Sequence, residues 1–179
     1  MPMNDYVAII CEGEAEKAII ELLLDADCLV FNKSDLLEEE VLYRCKAQVF
    51  ESQYLNRNFG ERRIHVVRVH DSRTERFVIS KPYQAKISKI SSYHTRPEIE
   101  MLIIIAENKY DEYKRKYVRK MKPSEYCMQF LGYRKVKKYH FIKDYFKDVK
   151  MLINALREYN RTKHDSRLCI YDLIKESMR

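Results

Sequence analysis

The sequence has few of the residues that mark non-globular chains. It contains only 3 Gly and 4 Pro in 179 residues, with no low-complexity run, and 46% of its residues are hydrophobic. This composition excludes a disordered or fibrous protein and predicts one compact domain over 1–179. Apolar stretches such as residues 101–106 are far shorter than the roughly 18 residues of a membrane span. No basic region precedes a hydrophobic one at the N-terminus, so we expect a cytoplasmic protein with no membrane partner.

Several kinds of chemical site are also missing from the sequence. The five cysteines are widely spaced without a close pair, which argues against a disulfide framework or a zinc site and favours reduced, mostly buried thiols. The histidines lack the spacing of paired metal ligands on a helix, although His70 and His94 stand at the proposed edge of the sheet. No Gly-rich phosphate loop, Gly-x-Ser-x-Gly elbow or dinucleotide fingerprint occurs.

Positive charge is abundant and unevenly distributed. The formal charge is +7, but residues 109–150 hold fourteen Lys or Arg against five Asp or Glu, so the rest of the chain is at −2. Tyrosines interleave this basic segment and can stack on bases. A nucleic-acid partner therefore fits the charge distribution, whereas the alternative is a solvated lysine-rich helix face with half-buried tyrosines.

Hydrophobic patterning predicts an α/β fold. Buried strands are expected at residues 6–11 and 64–69, with further strands at 28–31, 77–79 and 87–93. Helices are expected at 14–24, 35–54 with Ser34 as N-cap, 97–117 entered through Thr95 and Pro97, and then at 124–131, 141–159 and 168–177. The core would span about 5–110, and 111–179 would form a basic helical extension.

Acidic residues follow two of these strands. Glu12 comes directly after the first strand and precedes the first Gly, and Asp71 follows His70 at the end of the strand over 64–69. Ligands of open α/β sheets bind at the carboxyl ends of the strands. The two carboxylates would meet there only if these strands are neighbours, and Glu16, one turn into the first helix, would lie beside Glu12.

The run Ile9-Ile10-Cys11-Glu12-Gly13-Glu14-Ala15-Glu16 resembles the hydrophobic-Glu-Gly-x-x-Glu signature of Toprim domains, and is closest to RloB-like and OLD-type nucleases. In those families a later strand ends in Asp-x-Asp, and Val69-His70-Asp71-Ser72-Arg73 stands at the matching place. The run from Thr95 to Leu102 resembles the proline loop, acid and apolar helix of RloB-like proteins. The ordered motifs cover about residues 6–110, and the fold implied is a Toprim-like, mostly parallel sheet flanked by helices.

The resemblance implies phosphodiester hydrolysis of DNA or RNA with Mg²⁺ or Mn²⁺, in phage defence or repair, with an ATPase partner. From its composition, the chain is expected to fold alone or as a homodimer. Carboxylate oxygens suit these hard ions. Glu12, Asp71 and Glu16 would be catalytic. The metal ligands would be Glu12, Asp71, Glu98 and Glu100. The residues expected to contact nucleic acid are Arg73, Lys81, Arg96, Lys114, Arg115, Arg119, Lys120, Arg134, Lys135, Lys137 and Lys138.

One departure from the family pattern leaves the activity open. Arg73 occupies the position of the second Asp. Glu75 can replace that ligand, Glu98 or Glu100 can supply the carboxylate, or the site is degenerate. In the last case the chain is an inactive nucleic-acid-binding or protein-interaction subunit. The acids can also serve structure alone, Glu16 by complementing a helix N-terminus and Asp71 by capping a turn.

Overall fold

A four-stranded, all-parallel sheet forms the centre of the fold in the computed structural model, which describes residues 5–72, 74–96, 98–163 and 166–179. Its strands are β1 (Tyr6–Cys11), β2 (Leu42–Tyr43), β3 (Ile64–His70) and β4 (Ile87–His94), arranged in the order β2-β1-β3-β4. Helices flank the sheet, so the predicted α/β class with a parallel sheet is confirmed.

The two central strands are buried: β1 is apolar on both faces, and β3 is buried beside it although it also carries His65, Arg68 and His70. Val7, Ile9 and Cys11 pack into one hydrophobic cluster, while Ala8 and Ile10 pack into a second one on the other side of the sheet. Strands buried on both faces read as continuous apolar runs rather than alternating ones. β1 and β3 are neighbours in a register that aligns each residue from 6–11 with one from 64–69. The condition for bringing the ends of these two strands together is therefore met.

Seven α-helices accompany the sheet among the described residues. They are α1 (Glu14–Asp25), α2 (Ala47–Phe50), α3 (Met101–Ala106), α4 (Tyr110–Lys116), α5 (Pro123–Phe130), α6 (Tyr139–Tyr145) and α7 (Val149–Thr162). A π-helical turn, Glu51–Leu55, continues α2. α6 packs against α1 and α7 packs against α3. The basic C-terminal segment therefore shares the larger hydrophobic cluster with the N-terminal half.

The prediction of one continuous helix over residues 35–54 is wrong. The segment instead forms 3-10 turns at Lys33–Asp35 and Leu37–Glu39, then β2, and only afterwards α2. Glu38 and Glu39 have φ values of 59° and 54°, which a helix does not contain. Leu42 pairs with Ile10 of β1 in the edge strand β2 and is buried. Tertiary pairing with β1 thus overrides the local helical pattern.

Other predicted elements are shorter or interrupted. Within the predicted 97–117 helix, the backbone turns at Asn108, where φ is 56°, and separates α3 from α4. Asp148 accepts a hydrogen bond from the Lys150 amide at 2.9 Å and begins α7, which divides the predicted 141–159 helix. Residues 28–31 contribute one bridge, 77–79 form no strand, and 168–177 form 3-10 turns rather than an α-helix. Pro97 lies outside the described residues.

Within the described residues, no helix is both long enough and apolar enough to cross a bilayer.

Candidate functional site

Three neighbouring strands end at one edge of the sheet, and a polar residue follows each of them. Glu12 follows β1, Asp71 follows β3 and Thr95 follows β4. The Glu12 amide donates to the Val69 carbonyl at 3.0 Å, and the Thr95 amide donates to the His70 carbonyl at 3.1 Å. The ladder therefore continues one residue beyond the strands and fixes the backbone positions of these side chains.

A cavity of about 250 Å³ opens at this edge. Five carboxylates line it, one of which, Glu14, pairs with Lys138. We call the cavity the acid pocket and define it by the other four: Glu16, Asp71, Glu98 and Glu100. They come from α1, from the end of β3 and from the segment that enters α3. The structure thus brings together four of the five acidic residues that the sequence predicts for the site.

Glu16 is held in the pocket by close packing. Its carboxyl group lies against the Cα of Gly13, where a Cβ would overlap Oε2, so glycine is needed for this approach rather than for its backbone angles. The Thr95 hydroxyl donates to Glu16 Oε1 at 3.2 Å, and both residues are buried. Burial raises the pKa of Glu16, and the charges of Asp71 and Glu12 raise it further.

Of the two buried acids in the pocket, Glu16 and Glu100, Glu100 has the more strongly raised pKa. It is only 3% exposed, and burial raises its pKa to about 7. Lys137 opposes this effect, with Nζ 3.9 Å from Glu100 Oε1, while the negative charges of Glu98 and Glu16 add to it. Lys137 Nζ also lies 3.8 Å from Glu98 Oε2, an oxygen with no hydrogen-bond partner among the described residues. The acid pocket therefore brings several carboxyl groups close together, and Lys137 balances only part of their charge.

Basic residues surround the acid pocket. Lys138 Nζ lies 3.2 Å from Glu14 Oε1 and, as the largest cause, holds the pKa of Glu14 below its usual value. Arg96 donates from Nε to the Asp71 carbonyl. Arg44 also lines the pocket; its φ of 50° is rare for a residue with a side chain, and its amide donates to the Cys11 carbonyl at 2.9 Å. These exposed side chains place positive charge beside the acids of the pocket.

Glu12 lines a second, adjacent depression. We call it the histidine pocket, defined by Glu12, His70 and Glu75, with Arg68 beside them. His70 is 3% exposed and neither ring nitrogen has a hydrogen-bond partner among the described residues. Burial lowers the pKa of His70 to about 4, and the charge of Arg68 contributes to this shift. Arg68 Nη2 lies 2.9 Å from Glu75 Oε2.

The other residues predicted to contact nucleic acid are dispersed. Lys114 and Arg115 are exposed on α4, and Arg119 and Lys120 are exposed just after it. Arg134 and Lys135 are exposed in the loop before α6, close in sequence to Lys137 and Lys138 at the acid pocket. Arg73 lies outside the described residues.

Lys81 is the exception among the predicted basic residues. It begins the 3-10 turn Lys81–Lys86 that leads into β4. The turn therefore lies at the amino edge of the parallel sheet, opposite the acid pocket. The prediction that Lys81 contacts phosphate at the site is therefore wrong, because Lys81 lies at the other edge of the sheet.

Sequence reasoning missed some of the residues that build these pockets. Arg44 falls in the segment expected to be helical, and Thr95 was expected to cap a helix but instead donates to Glu16. The pairing of Lys138 with Glu14 joins positions 124 residues apart, for which local spacing gives no signal. Comparison of the chain with family models, curated proteins and solved structures gives no match. The site is therefore interpreted from its own geometry.

Proposed function

We propose that the chain is a divalent-metal-dependent nuclease that hydrolyses phosphodiester bonds of DNA or RNA at the acid pocket. The observation that carries the proposal is the meeting of four carboxylates at the carboxyl edge of a parallel sheet. Two of them, Glu16 and Glu100, are buried with raised pKa values. Buried like charges of this kind are costly without a cation.

The donor set fits Mg²⁺ or Mn²⁺. All four side chains offer carboxylate oxygens, which are the ligands these ions prefer, and the orphaned Oε2 of Glu98 is free of hydrogen bonds within the described residues. Glu16, Asp71, Glu98 and Glu100 would hold the ion. When bound, such an ion polarises a phosphoryl oxygen and activates water for attack.

The protein's own cations would position the substrate. Arg44, Lys137 and Lys138 line the pocket, so a phosphate group can be bound beside the acids. Lys137 is exposed enough, at 58% of its side chain, to turn from Glu98 and Glu100 towards a phosphate. The exposed basic residues of α4 and of the loop before α6 would contact more distant phosphates.

The resemblance to Toprim domains supports the same reaction and suggests its setting. It implies a role in phage defence or repair, with an ATPase partner or a second copy of the chain. The cytoplasm is the proposed location, because all five cysteines are free thiols and four of them are buried, as is usual in a reducing compartment.

Cleavage of a labelled panel of single- and double-stranded DNA and RNA tests the proposal. We expect cutting with Mg²⁺ or Mn²⁺ and none with EDTA. Asp71→Asn should lower the rate by about 100-fold, which corresponds to about 3 kcal/mol of transition-state stabilisation. Asp71 is exposed, so this variant should stay folded. Glu61→Gln, an exposed carboxylate ahead of β3, is the matched control and should cut normally.

A second candidate function is supported by the lysines. Lys137 and Lys138 already pair with acids at the pocket, as they would in a binding module that has lost its metal. Such a module would bind nucleic acid with a steep dependence on salt but would cut none of the panel with either ion. Cleavage by the wild type that is lost in Asp71→Asn would exclude it.

A further inference from the structure

His70 is a buried imidazole whose ring nitrogens make no hydrogen bond of normal geometry within the described part of the chain. Its side chain is 3% exposed, and Nδ1 and Nε2 both lack a hydrogen-bond partner among the described residues. The His94 ring packs against it, with ring centroids 4.9 Å apart and planes at 59°, a contact that bonds neither nitrogen of His70. The great majority of buried polar groups in proteins have a hydrogen-bond partner, and a buried group without one destabilises the fold. A ligand that binds a ring nitrogen would remove this penalty.

Two carboxylates are placed to share such a ligand with His70. One oxygen each of Glu12 and Glu75 and one ring nitrogen of His70 all lie within 4.8 Å of one another. The register that pairs Cys11 with Val69 places Glu12 and His70 side by side one position further along the neighbouring strands. Ligand atoms around a divalent ion are about 3 to 4 Å apart, since the bonds are about 2.1 Å long. Because Glu12 and Glu75 are exposed, small rotations of their side chains bring the three atoms to that spacing.

We propose that Glu12, His70 and Glu75 form a binding site for a divalent first-row transition ion such as Zn²⁺ or Co²⁺. An imidazole combined with carboxylates selects these ions over Mg²⁺, which prefers oxygen ligands and keeps its waters. The histidine pocket therefore differs in chemistry from the all-carboxylate acid pocket. The proposal concerns binding alone and does not rest on the nuclease function.

Arg68 positions one ligand and limits the affinity of the site. Its Nη2 donates to Glu75 Oε2 at 2.9 Å, which orients the carboxylate and leaves the other oxygen available to bind an ion. The guanidinium is nearly buried, at 8% side-chain exposure, and its positive charge opposes a cation nearby. Two carboxylates outweigh the one arginine, so we expect binding that is moderate rather than very tight.

Titration calorimetry of the untagged protein with Zn²⁺, and the visible absorption of bound Co²⁺, test this site. Wild type should bind Zn²⁺ with at least about tenfold higher affinity than Glu75→Gln or His70→Asn, since loss of a ligand or of its support weakens metal binding at least that much. Glu61→Gln, an exposed carboxylate that belongs to neither pocket, is the matched control and should bind Zn²⁺ like wild type. Wild type should also prefer Zn²⁺ to Mg²⁺ in competition.

The test does not depend on one variant that fails to fold, because ligands of the site can be replaced one at a time. His70 is buried, so His70→Asn is used only if circular dichroism shows a native fold, and otherwise Glu12→Gln replaces it. Equal Zn²⁺ affinity in wild type and Glu75→Gln would overturn the proposal, as would a wild type that binds no Zn²⁺. The nuclease proposal is tested separately by cleavage in Mg²⁺ alone, so the two can fail independently.

Discussion

Glu100 gives a quantitative prediction about stability and pH in the metal-free protein. Its carboxyl group is 3% exposed and its pKa is about 7 rather than the ordinary 4.5. At 1.36 kcal/mol per pKa unit, this difference lowers the free energy of unfolding by about 3 kcal/mol once the group is ionised in both states. The native state then carries a buried charge that the unfolded chain keeps in water.

The direction in which stability changes with pH follows from the number of protons that the folded and unfolded states bind. Between pH 4.5 and about 7 the folded protein holds the Glu100 proton and the unfolded chain has released it. The unfolded state therefore binds fewer protons, and stability falls as pH rises through this window. Below pH 4.5 both states are protonated, and the contribution of Glu100 vanishes.

Glu100→Gln removes this dependence because the amide does not ionise. We expect the variant to gain about 3 kcal/mol relative to wild type on going from pH 4.5 to pH 8. Urea unfolding monitored by circular dichroism, with EDTA in every sample, measures it. The comparison between two pH values cancels any pH-independent packing change that the amide introduces beside Lys137.

Glu61→Gln is the control for this experiment, because Glu61 is exposed and lies at the opposite edge of the sheet. Its stability difference from wild type should be the same at both pH values. A Glu100→Gln difference that also stays constant within about 0.5 kcal/mol would refute the reasoning, since surface substitutions alone produce changes of that size.

Three further predictions concern single side chains. Gly13→Ala should displace the Glu16 carboxyl group and cost about 1 to 3 kcal/mol in urea unfolding, the usual range for overpacking, while a Glu16→Ala background should remove most of that cost. Lys137→Met should tighten Mn²⁺ binding at the acid pocket by roughly twofold to fivefold in calorimetry, because a partly exposed ammonium group competes only weakly with the ion. An unchanged Mn²⁺ affinity would contradict this competition. Burial lowers the pKa of His65, whose Nε2 lies 2.9 Å from Ser91 Oγ, so stability should be complete above pH 6.5 and fall as pH drops below it. His65→Gln should show a smaller loss of melting temperature between pH 7.5 and pH 5.5 than wild type does.

The central strands could be predicted from sequence because their burial is encoded locally. β1 is a nearly continuous apolar run and β3 is rich in Ile and Val, and such runs suit strands buried on both faces. α1 could be predicted from sequence equally well, since its apolar residues recur on one helical face and Glu14 and Glu16 occupy its first turn. Such patterns depend on a few consecutive residues and do not require knowledge of the rest of the chain.

Local pattern failed where a distant segment competes for the same residues. Leu42 lies in a stretch with helical spacing, but pairing with Ile10 places it at the edge of the sheet. Thr95 has the chemistry of a helix cap, but its hydroxyl group instead donates a hydrogen bond to a buried carboxylate of α1, that of Glu16. In both cases the free energy of long-range pairing and burial exceeds the small intrinsic preference of the segment.

The sequence by itself determined the α/β class, the acids at the ends of β1 and β3, and the basic character of the C-terminal part. Only the tertiary structure decided which of these groups meet. Glu16, Asp71, Glu98 and Glu100 share one pocket, Glu12 lines another with His70 and Glu75, and Lys137 reaches the acid pocket from the loop before α6. The physical reason is that residue type and periodicity are local properties, whereas the distance between two charges depends on strand order, register and the packing of helices from distant parts of the chain.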